Sequence, residues 1–369
     1  MIEINTLDDA IDFSSINRIL VVKLQHLGDV LLTTPLFNVL KQQFPHLQID
    51  ALIYQETLPV LEANPNVGAV YAVDRQWKKQ GRLHHIKREY SLFRTLQNNQ
   101  YDLIINLNDR WRGGWLTRVL SPRYSVSRPY KHRHGRFWRK SFTHLYSVPL
   151  GSRHAVEANL DALRRLGLQP QTDQKKLTLV IKPESQLKVK QLLQPGLPEN
   201  KKIIVIHPTS RWMFKAWNPQ AFAQVIDGLN RLDFYTILIS GPAQKEIDYV
   251  ANILEHAKSR SLNLAGQLSL NETAALIQLA DGFLGLDSVA AHMAAAVNTA
   301  CVVLFGPTNN KVWYPWMVAH QVLSADFVCR PCGLKGCGDG MLSECIQAIQ
   351  PDQVIQVISA LISKESSAR

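Results

Sequence analysis

The chain has 369 residues, of which 46% are hydrophobic and 19% charged, and its formal net charge is +11. This composition excludes a disordered or fibrous chain, and the length predicts two domains that each bury a core. The N-terminal segment is acidic and lacks the apolar core of a signal peptide, and no run of about 18 apolar residues predicts a membrane-spanning helix. We therefore expect a cytoplasmic protein.

The first part of the chain alternates apolar, β-branched runs with helical patterns. The runs predict strands at 18–24, 48–53, 69–73 and 101–107. Apolar residues at helical spacing predict helices at 29–44 and 86–97. The segment 169–200 is richer in Lys, Gln and Pro, and it is predicted to connect two domains through a short strand at 177–181 and a helix.

A second series of the same kind follows this connection. Strands are predicted at 202–207, 234–240, 281–286 and 300–305, and helices at 219–232, 244–256, 271–280 and 289–297. Ser269 and Glu272 form a capping-box pattern at the start of one helix. A last amphipathic helix is predicted at 351–362.

The repeated βα pattern predicts an α/β protein with parallel sheets covered on both faces. We divide it into an N-terminal Rossmann-like domain at 1–168, the connection at 169–200, a C-terminal Rossmann-like domain at 201–348 and a final helical segment at 349–369. Open sheets of this class bind ligands at the carboxyl ends of their strands. We therefore expect two such domains to face a central cleft.

The first candidate site follows the first predicted strand, at Lys23, Gly28 and Asp29. The spacing favours a helix-capping role for Asp29. The alternative is a general base, because a carboxylate at the carboxyl end of a strand is well placed to accept a proton.

The second candidate site follows the first strand of the C-terminal domain, in the segment 207–217. Thr209 and Ser210 supply hydroxyl and backbone N–H groups and Lys215 supplies a positive charge, which suits a diphosphate. The alternative is a solvated polar loop, because the segment has no Walker or GxGxxG pattern.

The third candidate site lies where a predicted strand meets a helix rich in small residues. Asp287 could accept hydrogen bonds from sugar hydroxyls, and Ser288 could cap the helix and offer its N–H groups to a phosphate. His292 lies one turn into the helix and could face a ligand, although a helical histidine is more often a packed or exposed residue.

Four of the five cysteines are close in sequence, at Cys329, Cys332, Cys337 and Cys345. In a chain without an export signal this speaks against disulfides. A structural Zn²⁺ and plain reduced cysteines both stay open, because the spacing of the second pair is not that of a common zinc finger.

The net charge lies in one stretch, 110–156, which contains no Asp or Glu. Outside it, 30 basic and 30 acidic residues balance. The stretch contains eleven basic residues: Arg110, Arg112, Arg118, Arg123, Arg128, Lys131, Arg133, Arg136, Arg139, Lys140 and Arg153. Aromatic residues lie among them, so nucleic-acid bases, an anionic membrane and an anionic acceptor all stay open beside a merely solvated surface.

Taken in order, these motifs resemble the ADP-heptose:lipopolysaccharide heptosyltransferases of glycosyltransferase family 9. The resemblance spans about residues 18 to 360, and the segments HPTSRWMFKAWN and Ser141-Phe-Thr-His look most like the heptosyltransferase III type. It rests on four motifs: Lys23-x4-Gly-Asp-Val, HPTSR with Lys215 and Trp217, Gly285-x-Asp-Ser with His292, and LFGPT with Trp313 and Trp316.

The resemblance implies a GT-B fold and inverting transfer of L-glycero-D-manno-heptose from ADP-heptose to the inner core of lipopolysaccharide. No metal or other cofactor is implied. Asp29 matches the proposed base of the family. The family binds its acceptor on the N-terminal domain, which contains the basic stretch, so we expect acceptor contacts from Lys23, Arg133, Arg136 and Arg139. The residues matching the donor site are Thr209, Ser210, Lys215, Leu268, Asp287, Ser288 and His292.

Two departures from the family pattern concern the donor site. Val289 stands where glycine is common, and an acidic residue that holds the ribose in some members has only Glu246 as its candidate here. We expect association with the inner face of the inner membrane and no nucleic-acid partner. The alternatives are a GT-B enzyme that uses another nucleotide sugar and a non-catalytic protein of the same fold that binds RNA or an anionic surface.

Overall fold

The β-branched runs of the sequence form two parallel sheets in a computed structural model that describes residues 8–149, 151–194, 201–338 and 340–368. The chain divides into two compact units, Met1–Thr178 and Leu179–Arg369. Each unit contains one six-stranded sheet.

In the first unit, strands alternate with helices along the chain. Its strands are β1 (Arg18–Lys23), β2 (Gln48–Tyr54), β3 (Val70–Val73), β4 (Leu103–Asn106), β5 (Tyr124–Ser127) and β6 (His144–Leu145). Its helices are α1 (Leu27–Leu31), α2 (Thr34–Gln43), α3 (Leu58–Leu61), α4 (Arg82–Asn98), α5 (Trp111–Leu120), α6 (Arg136–Arg139) and α7 (Ala155–Arg165).

The second unit repeats this alternation. Its strands are β7 (Lys202–His207), β8 (Phe234–Leu238), β9 (Leu262–Asn263), β10 (Gly282–Leu286), β11 (Cys301–Leu304) and β12 (His320–Leu323). Its helices are α8 (Pro183–Leu193), α9 (Pro219–Arg231), α10 (Gln244–His256), α11 (Leu270–Leu279), α12 (Val289–Ala296), α13 (Asn310–Trp313), α14 (Glu344–Gln347) and α15 (Pro351–Ala368).

The two sheets have the same strand order, β3-β2-β1-β4-β5-β6 and β9-β8-β7-β10-β11-β12, and every pairing is parallel. This is the doubly wound Rossmann order, with one topological switch point per sheet. Consecutive residues of the central strands are buried, as in Leu103–Asn106 and Gly282–Leu286, because neighbouring side chains point to opposite, covered faces. The predicted fold class is confirmed.

The predicted helix at 29–44 is wrong in one respect, because it is two helices, α1 and α2. Pro35 lies in the first turn of α2 and cannot donate to the carbonyl of Leu31. The hydroxyl of Thr34 donates to that carbonyl instead, at 2.8 Å. Because of this break, α1 ends at Leu31, two residues after Asp29.

The predicted strand at 177–181 is also wrong, because this extended segment joins no sheet. Its backbone groups are satisfied by side chains instead. The N–H of Thr178 donates to the hydroxyl of Thr34 at 2.9 Å, and the carbonyl of Val180 accepts from Asn271 at 2.8 Å. The apolar pattern at 177–181 therefore correctly indicated an extended backbone, but not a strand paired in a sheet.

The segment predicted as a connection, 169–200, is divided between the units. Its 3-10 helix at Asp173–Lys175 packs on α2 in the first unit, and α8 packs on α11 in the second. The final helix α15 belongs to the second unit, where it packs on α9 and on β10, β11 and β12. Within the described residues, no helix combines the length and apolar character needed to cross a membrane.

Candidate active site

The first candidate site lies at the carboxyl ends of β1 and β4, the switch point of the first sheet. Lys23 ends β1, and Asn106 ends β4. The loop after β1 leads directly into α1, which carries Asp29 in its first turn. We refer to Lys23, Asp29, Asn106 and Asn108 as the first-unit site.

Asp29 contributes to the start of α1. One carboxylate oxygen, Oδ2, accepts a hydrogen bond from the backbone N–H of His26 at 3.2 Å, which is the reciprocal bond of a capping box. The side chain is half-buried rather than enclosed. A helix N-terminus also favours a negative charge at this position. Capping and proton transfer are thus compatible, because the second carboxylate oxygen is not used in the cap.

Lys23 is buried, with 7% of its surface exposed. Its Nζ donates to the carbonyl of Leu107 at 3.3 Å and to Oδ1 of Asn159 at 3.2 Å. Burial lowers the pKa of Lys23 to about 8, although the nearby negative charge of Asp29 acts in the opposite direction. Lys23 is therefore a buried member of the first-unit site and places a titratable positive charge near Asp29.

This lowered pKa predicts a specific pH dependence of stability. The unfolded chain keeps the Lys23 proton up to about pH 10.5, whereas the folded chain releases it near pH 8, so the free energy of unfolding rises with pH between these values. The contribution is about 1–3 kcal/mol. Urea unfolding at pH 7 and pH 9.5 should show this rise in the wild type and a smaller one in Lys23→Met. Equal slopes in the two proteins would contradict it.

Two asparagines at the end of β4 were not predicted as site residues. Nδ2 of Asn106 donates to the hydroxyl of Ser127 at 2.9 Å, and Nδ2 of Asn108 donates to Oδ1 of Asn106 at 2.6 Å. Both asparagines are fully buried. Their hydrogen bonds fix the loop that follows β4. The sequence signal that could have identified them is a pair of amide side chains at the end of an apolar strand.

The second candidate site lies at the corresponding switch point of the second sheet, at the carboxyl ends of β7 and β10. Thr209 and Ser210, which follow β7, are both buried. The ring nitrogen Nδ1 of His207 donates to the carbonyl of Thr209 at 3.0 Å, and burial lowers the pKa of His207, which favours the neutral ring. The loop is therefore held by β7 rather than being a solvated surface loop.

Glu246 links the loop after β7 to the loop after β8. Its Oε2 accepts from the hydroxyl of Thr209 at 2.7 Å and from the backbone N–H of Gly241 at 3.3 Å. Glu246 is buried at the start of α10. From the sequence alone, Glu246 is only a candidate for holding a ribose. The structure also shows that it contacts Thr209, which is 37 positions away in sequence.

Lys215 and Asp287 form an ion pair with 2.6 Å between Nζ and Oδ2. Their side chains are 14% and 9% exposed. Lys215 ends the 3-10 helix Met213–Lys215, and Asp287 follows β10, so the pair joins the second and third candidate sites. We refer to Thr209, Ser210, Lys215, Asp287 and Ser288 as the second-unit site.

Ser288 occupies the N-cap position of α12, but its side chain makes no capping hydrogen bond. The prediction that its hydroxyl caps the helix is therefore wrong. With φ −151° and ψ 172° the residue is extended, and its Oγ is buried without a hydrogen-bond partner in the described structure. An unsatisfied buried hydroxyl at a helix N-terminus suits a ligand that accepts hydrogen bonds.

Two further predicted donor residues are buried in the second unit. His292 is 4% exposed, and its ring lies 6.4 Å from the ring of Trp313. Leu268 is 9% exposed and lies immediately before the capping box of α11, which the structure confirms at Ser269 and Glu272. In the loop after β11, the buried Oγ1 of Thr308 lacks a hydrogen-bond partner among the described residues, and it was not predicted individually.

The four clustered cysteines differ in exposure. Cys345 is buried and Cys329 is exposed, and all are free thiols. Burial raises the pKa of the Cys345 thiol. Within the described ranges, no group of three or more metal-ligating side chains is placed to hold an ion. The structural zinc stays a prediction.

The basic stretch forms helices and loops of the first unit. Arg112 forms a bidentate pair with Glu89, and Arg153 forms one with Asp161. Arg133 stacks over the ring of Trp111 at 4.5 Å. Arg136 and Arg139 lie at the two ends of α6 and are exposed, and the part of the chain described here places no carboxylate within 4.0 Å of either.

Comparison with known proteins gives consistent matches. Residues 89–341 match the family model of glycosyltransferase family 9 (heptosyltransferase). The chain is 40% identical over 291 residues to lipopolysaccharide heptosyltransferase 3 of Escherichia coli. The alignment covers 78% of this chain and 83% of that protein.

Solved structures show the same fold. A glycosyltransferase of family 9 from Veillonella parvula DSM 2008 has a TM-score of 0.80 at 24% identity, covering 98% of this chain and 99% of that one. An E. coli heptosyltransferase with ADP-2-deoxy-2-fluoro heptose has a TM-score of 0.69 at 18% identity, covering 93% and 99%.

Proposed function

This chain belongs to glycosyltransferase family 9, the heptosyltransferase family, and we propose that it transfers L-glycero-D-manno-heptose from ADP-heptose to the inner core of lipopolysaccharide. The observation that carries the proposal is which side chains lie at the switch points of the two sheets. One holds a half-buried carboxylate, Asp29, and the other holds a lysine and hydroxyls suited to a diphosphate. A transferase of this type needs both a base and a stabilised leaving group.

The second-unit site is proposed to bind ADP-heptose. Thr209, Ser210 and Lys215 contact the diphosphate, together with the N-terminus of α12 and the buried hydroxyl of Ser288. Leu268 packs against the adenine. Asp287 and His292 contact the sugar. The E. coli heptosyltransferase structure with an ADP-heptose analogue supports this choice of donor.

Asp29 is proposed as the general base. Its free carboxylate oxygen takes the proton of the acceptor hydroxyl as that oxygen attacks the anomeric carbon of the donor. The bond between the anomeric carbon and the β-phosphate oxygen breaks from the opposite side, so the configuration inverts and ADP leaves. Because the leaving group is a diphosphate, the charge that develops on it is met by Lys215 and the hydroxyl groups rather than by a proton from an acid.

The reaction is proposed to need no bound metal, since Lys215 supplies the positive charge at the diphosphate. The acceptor is proposed to bind to the first unit through Arg133, Arg136 and Arg139. Their charge suits the phosphates and carboxylates of the lipopolysaccharide core and the anionic inner leaflet, where we place the enzyme as a peripheral protein. We propose no nucleic-acid partner.

The proposed acceptor contacts predict a selective defect. Arg136→Glu combined with Arg139→Glu should raise the KM for the acceptor at least about tenfold and leave the ADP affinity unchanged, because the altered charges lie in the first unit. Steady-state kinetics with a truncated lipopolysaccharide acceptor measures the first quantity, and calorimetric titration measures the second.

A matched control is Lys258→Glu combined with Arg260→Glu, which makes the same change of charge on exposed residues of the second unit. It should leave the acceptor KM within about twofold of the wild type, because both residues precede β9, at the amino ends of the strands, whereas the second-unit site lies at the carboxyl ends. If the control and the Arg136/Arg139 variant have the same KM, the basic stretch has no specific role in acceptor binding.

The proposed donor is tested with a panel of nucleotide sugars and purified full-length protein. We expect ADP-heptose alone to yield an acceptor heavier by one heptosyl residue. Transfer from a different nucleotide sugar, with none from ADP-heptose, would assign another donor to the same fold.

A further inference from the structure

We infer that the outer face of α4 and α5 in the first unit inserts into the surface of an anionic phospholipid bilayer. This goes beyond the proposed transfer reaction, because it names a membrane-contacting surface that lies mostly outside the basic stretch. We call this surface the α4/α5 face and define it by Leu83, Ile86, Tyr90, Trp115 and Val119.

The α4/α5 face exposes large apolar side chains to solvent. Leu83 is 85% exposed, Ile86 61% and Tyr90 60%, and on α5 Trp115 is 59% and Val119 52% exposed. The three α4 residues follow each other at spacings of three and four, so they lie on one side of the helix. Soluble proteins seldom leave such a contiguous set uncovered, and a set of this kind marks an interaction surface.

An apolar cavity of about 430 Å³ opens between the two helices. It is lined by residues of both helices, among them Ile86, Phe93, Trp115 and Leu116. Only Leu96 of α4 is fully buried, so this helix uses little of its apolar surface to pack on its own sheet. The cavity continues the exposed face inward and offers space for part of an acyl chain.

Positive charges border the face on the same helix. Arg82, Lys87 and Arg94 are exposed on α4 beside the α4/α5 face, and within the described structure none of them has a carboxylate within ion-pair distance. The single acidic residue of α4, Glu89, is neutralised by Arg112, whose two terminal nitrogens each lie 2.5 Å from a carboxylate oxygen. The face is therefore apolar at its centre and cationic at its border.

Aromatic side chains hold the α5 side of the face in place. The ring of Trp115 lies 4.8 Å from the ring of Phe137, and Trp111, which is 45% exposed, lies 5.3 Å from that ring. Tryptophan and tyrosine favour the boundary between headgroups and acyl chains, because their rings are apolar with one polar group.

This chemistry selects a lipid surface over a second copy of the chain. A twofold contact through this face would bring the cations of α4 against the same cations of the partner, which is unfavourable. An anionic bilayer offers the opposite charge at the border and an apolar interior at the centre. Helices with a cationic border and Trp or Leu on the other face bind bilayers in this way.

The inference is tested by co-sedimentation of the full-length protein with vesicles of phosphatidylcholine, with and without phosphatidylglycerol. The wild type should bind the vesicles that contain phosphatidylglycerol. Leu83→Ser combined with Ile86→Ser should weaken this binding at least about tenfold, because two apolar side chains no longer leave water. A second variant, Lys87→Glu with Arg94→Glu, should lose binding to the anionic vesicles as well.

The matched control is Leu187→Ser combined with Leu232→Ser, which changes two leucines of the second unit that are 58% and 52% exposed. This control should bind vesicles like the wild type. The fluorescence of the wild type should also be quenched by brominated lipid, and Trp115→Phe should remove most of that quenching. Unchanged vesicle binding in both α4 variants, or no wild-type binding to anionic vesicles, would overturn the inference.

Two further measurements separate this inference from other occupants and from the proposed reaction. If sedimentation velocity shows a wild-type dimer that Leu83→Ser/Ile86→Ser converts to a monomer, the face binds a second copy and the inference fails. With a water-soluble truncated acceptor and no vesicles, the same variant should release ADP at the wild-type rate. If the wild type binds anionic vesicles but transfers no heptose, and Leu83→Ser/Ile86→Ser removes the vesicle binding, the proposed reaction fails and this inference holds.

Discussion

Asp29→Asn should lower kcat for heptosyl transfer by about 100- to 10,000-fold, the range that a general base contributes. Asparagine cannot accept the proton of the acceptor hydroxyl. Its side-chain oxygen can still accept the hydrogen bond from the N–H of His26, so the first turn of α1 keeps its cap. The affinity for ADP should stay within about twofold of the wild type, because the proposed diphosphate contacts all belong to the second unit.

The control for this prediction is Asp109→Asn. Asp109 follows β4 at the same switch point, and its negative charge also acts on Lys23. Its carboxylate pairs with Arg110 at 3.7 Å, and both side chains are largely exposed. We expect Asp109→Asn to change kcat by less than about tenfold. If Asp109→Asn abolishes transfer and Asp29→Asn does not, the base has been assigned to the wrong carboxylate.

Lys215→Ala should have the second large effect, on both donor binding and stability. Loss of the charge at the diphosphate should lower kcat/KM about 100- to 1,000-fold and weaken ADP binding at least about tenfold. The substitution also leaves the buried carboxylate of Asp287 without its partner at 2.6 Å. Removing one member of a buried ion pair costs about 3 kcal/mol, so the free energy of unfolding should fall by this amount.

The double variant Lys215→Ala/Asp287→Asn separates the two effects. It removes the unpaired charge, so urea unfolding should show most of the lost stability restored. Calorimetric titration should show ADP binding as weak as in Lys215→Ala, because the cation is still absent. If the double variant regains ADP affinity, Lys215 acts only by pairing with Asp287 and does not contact the diphosphate.

The strands of both sheets were predictable where they are long and buried on both faces. The run Arg18–Lys23 and the run Lys202–His207 are rich in isoleucine and valine, which is typical of central parallel strands. Short edge strands such as His144–Leu145 and Leu262–Asn263 contain too few residues to show a pattern. They form because a neighbouring strand offers hydrogen-bond partners, which only the tertiary structure supplies.

The positions of the site residues were predictable for a related reason. Lys23, Asp29, Thr209 and Asp287 all follow buried strands, and such ends are where open sheets place their ligands. The pairing of these residues was not predictable. Lys215 meets Asp287 across 72 positions of sequence, and such contacts depend on how the loops pack. The burial of Lys23 was missed because a lysine at a strand end is usually exposed.

The structure shows which of the positive charges in the first unit are paired with carboxylates and which are not. Arg112 and Arg153 are neutralised by Glu89 and Asp161, whereas Arg136 and Arg139 are exposed without a carboxylate nearby in the described residues. The unpaired cations of the first unit therefore include residues of α6 and of α4. The positive charge of the first unit is therefore not confined to the stretch 110–156, since α4, whose cations border the proposed membrane face, also carries exposed cations.

The most direct test of the central claim is ADP release from ADP-heptose with a series of defined truncated lipopolysaccharides. We predict rapid ADP release with one inner-core acceptor, with the product gaining one heptosyl residue by mass spectrometry, and release at least about 100-fold slower with that acceptor when Asp29 is replaced by Asn. If ADP-heptose binds but no acceptor in the series accelerates ADP release, the protein is not a lipopolysaccharide heptosyltransferase.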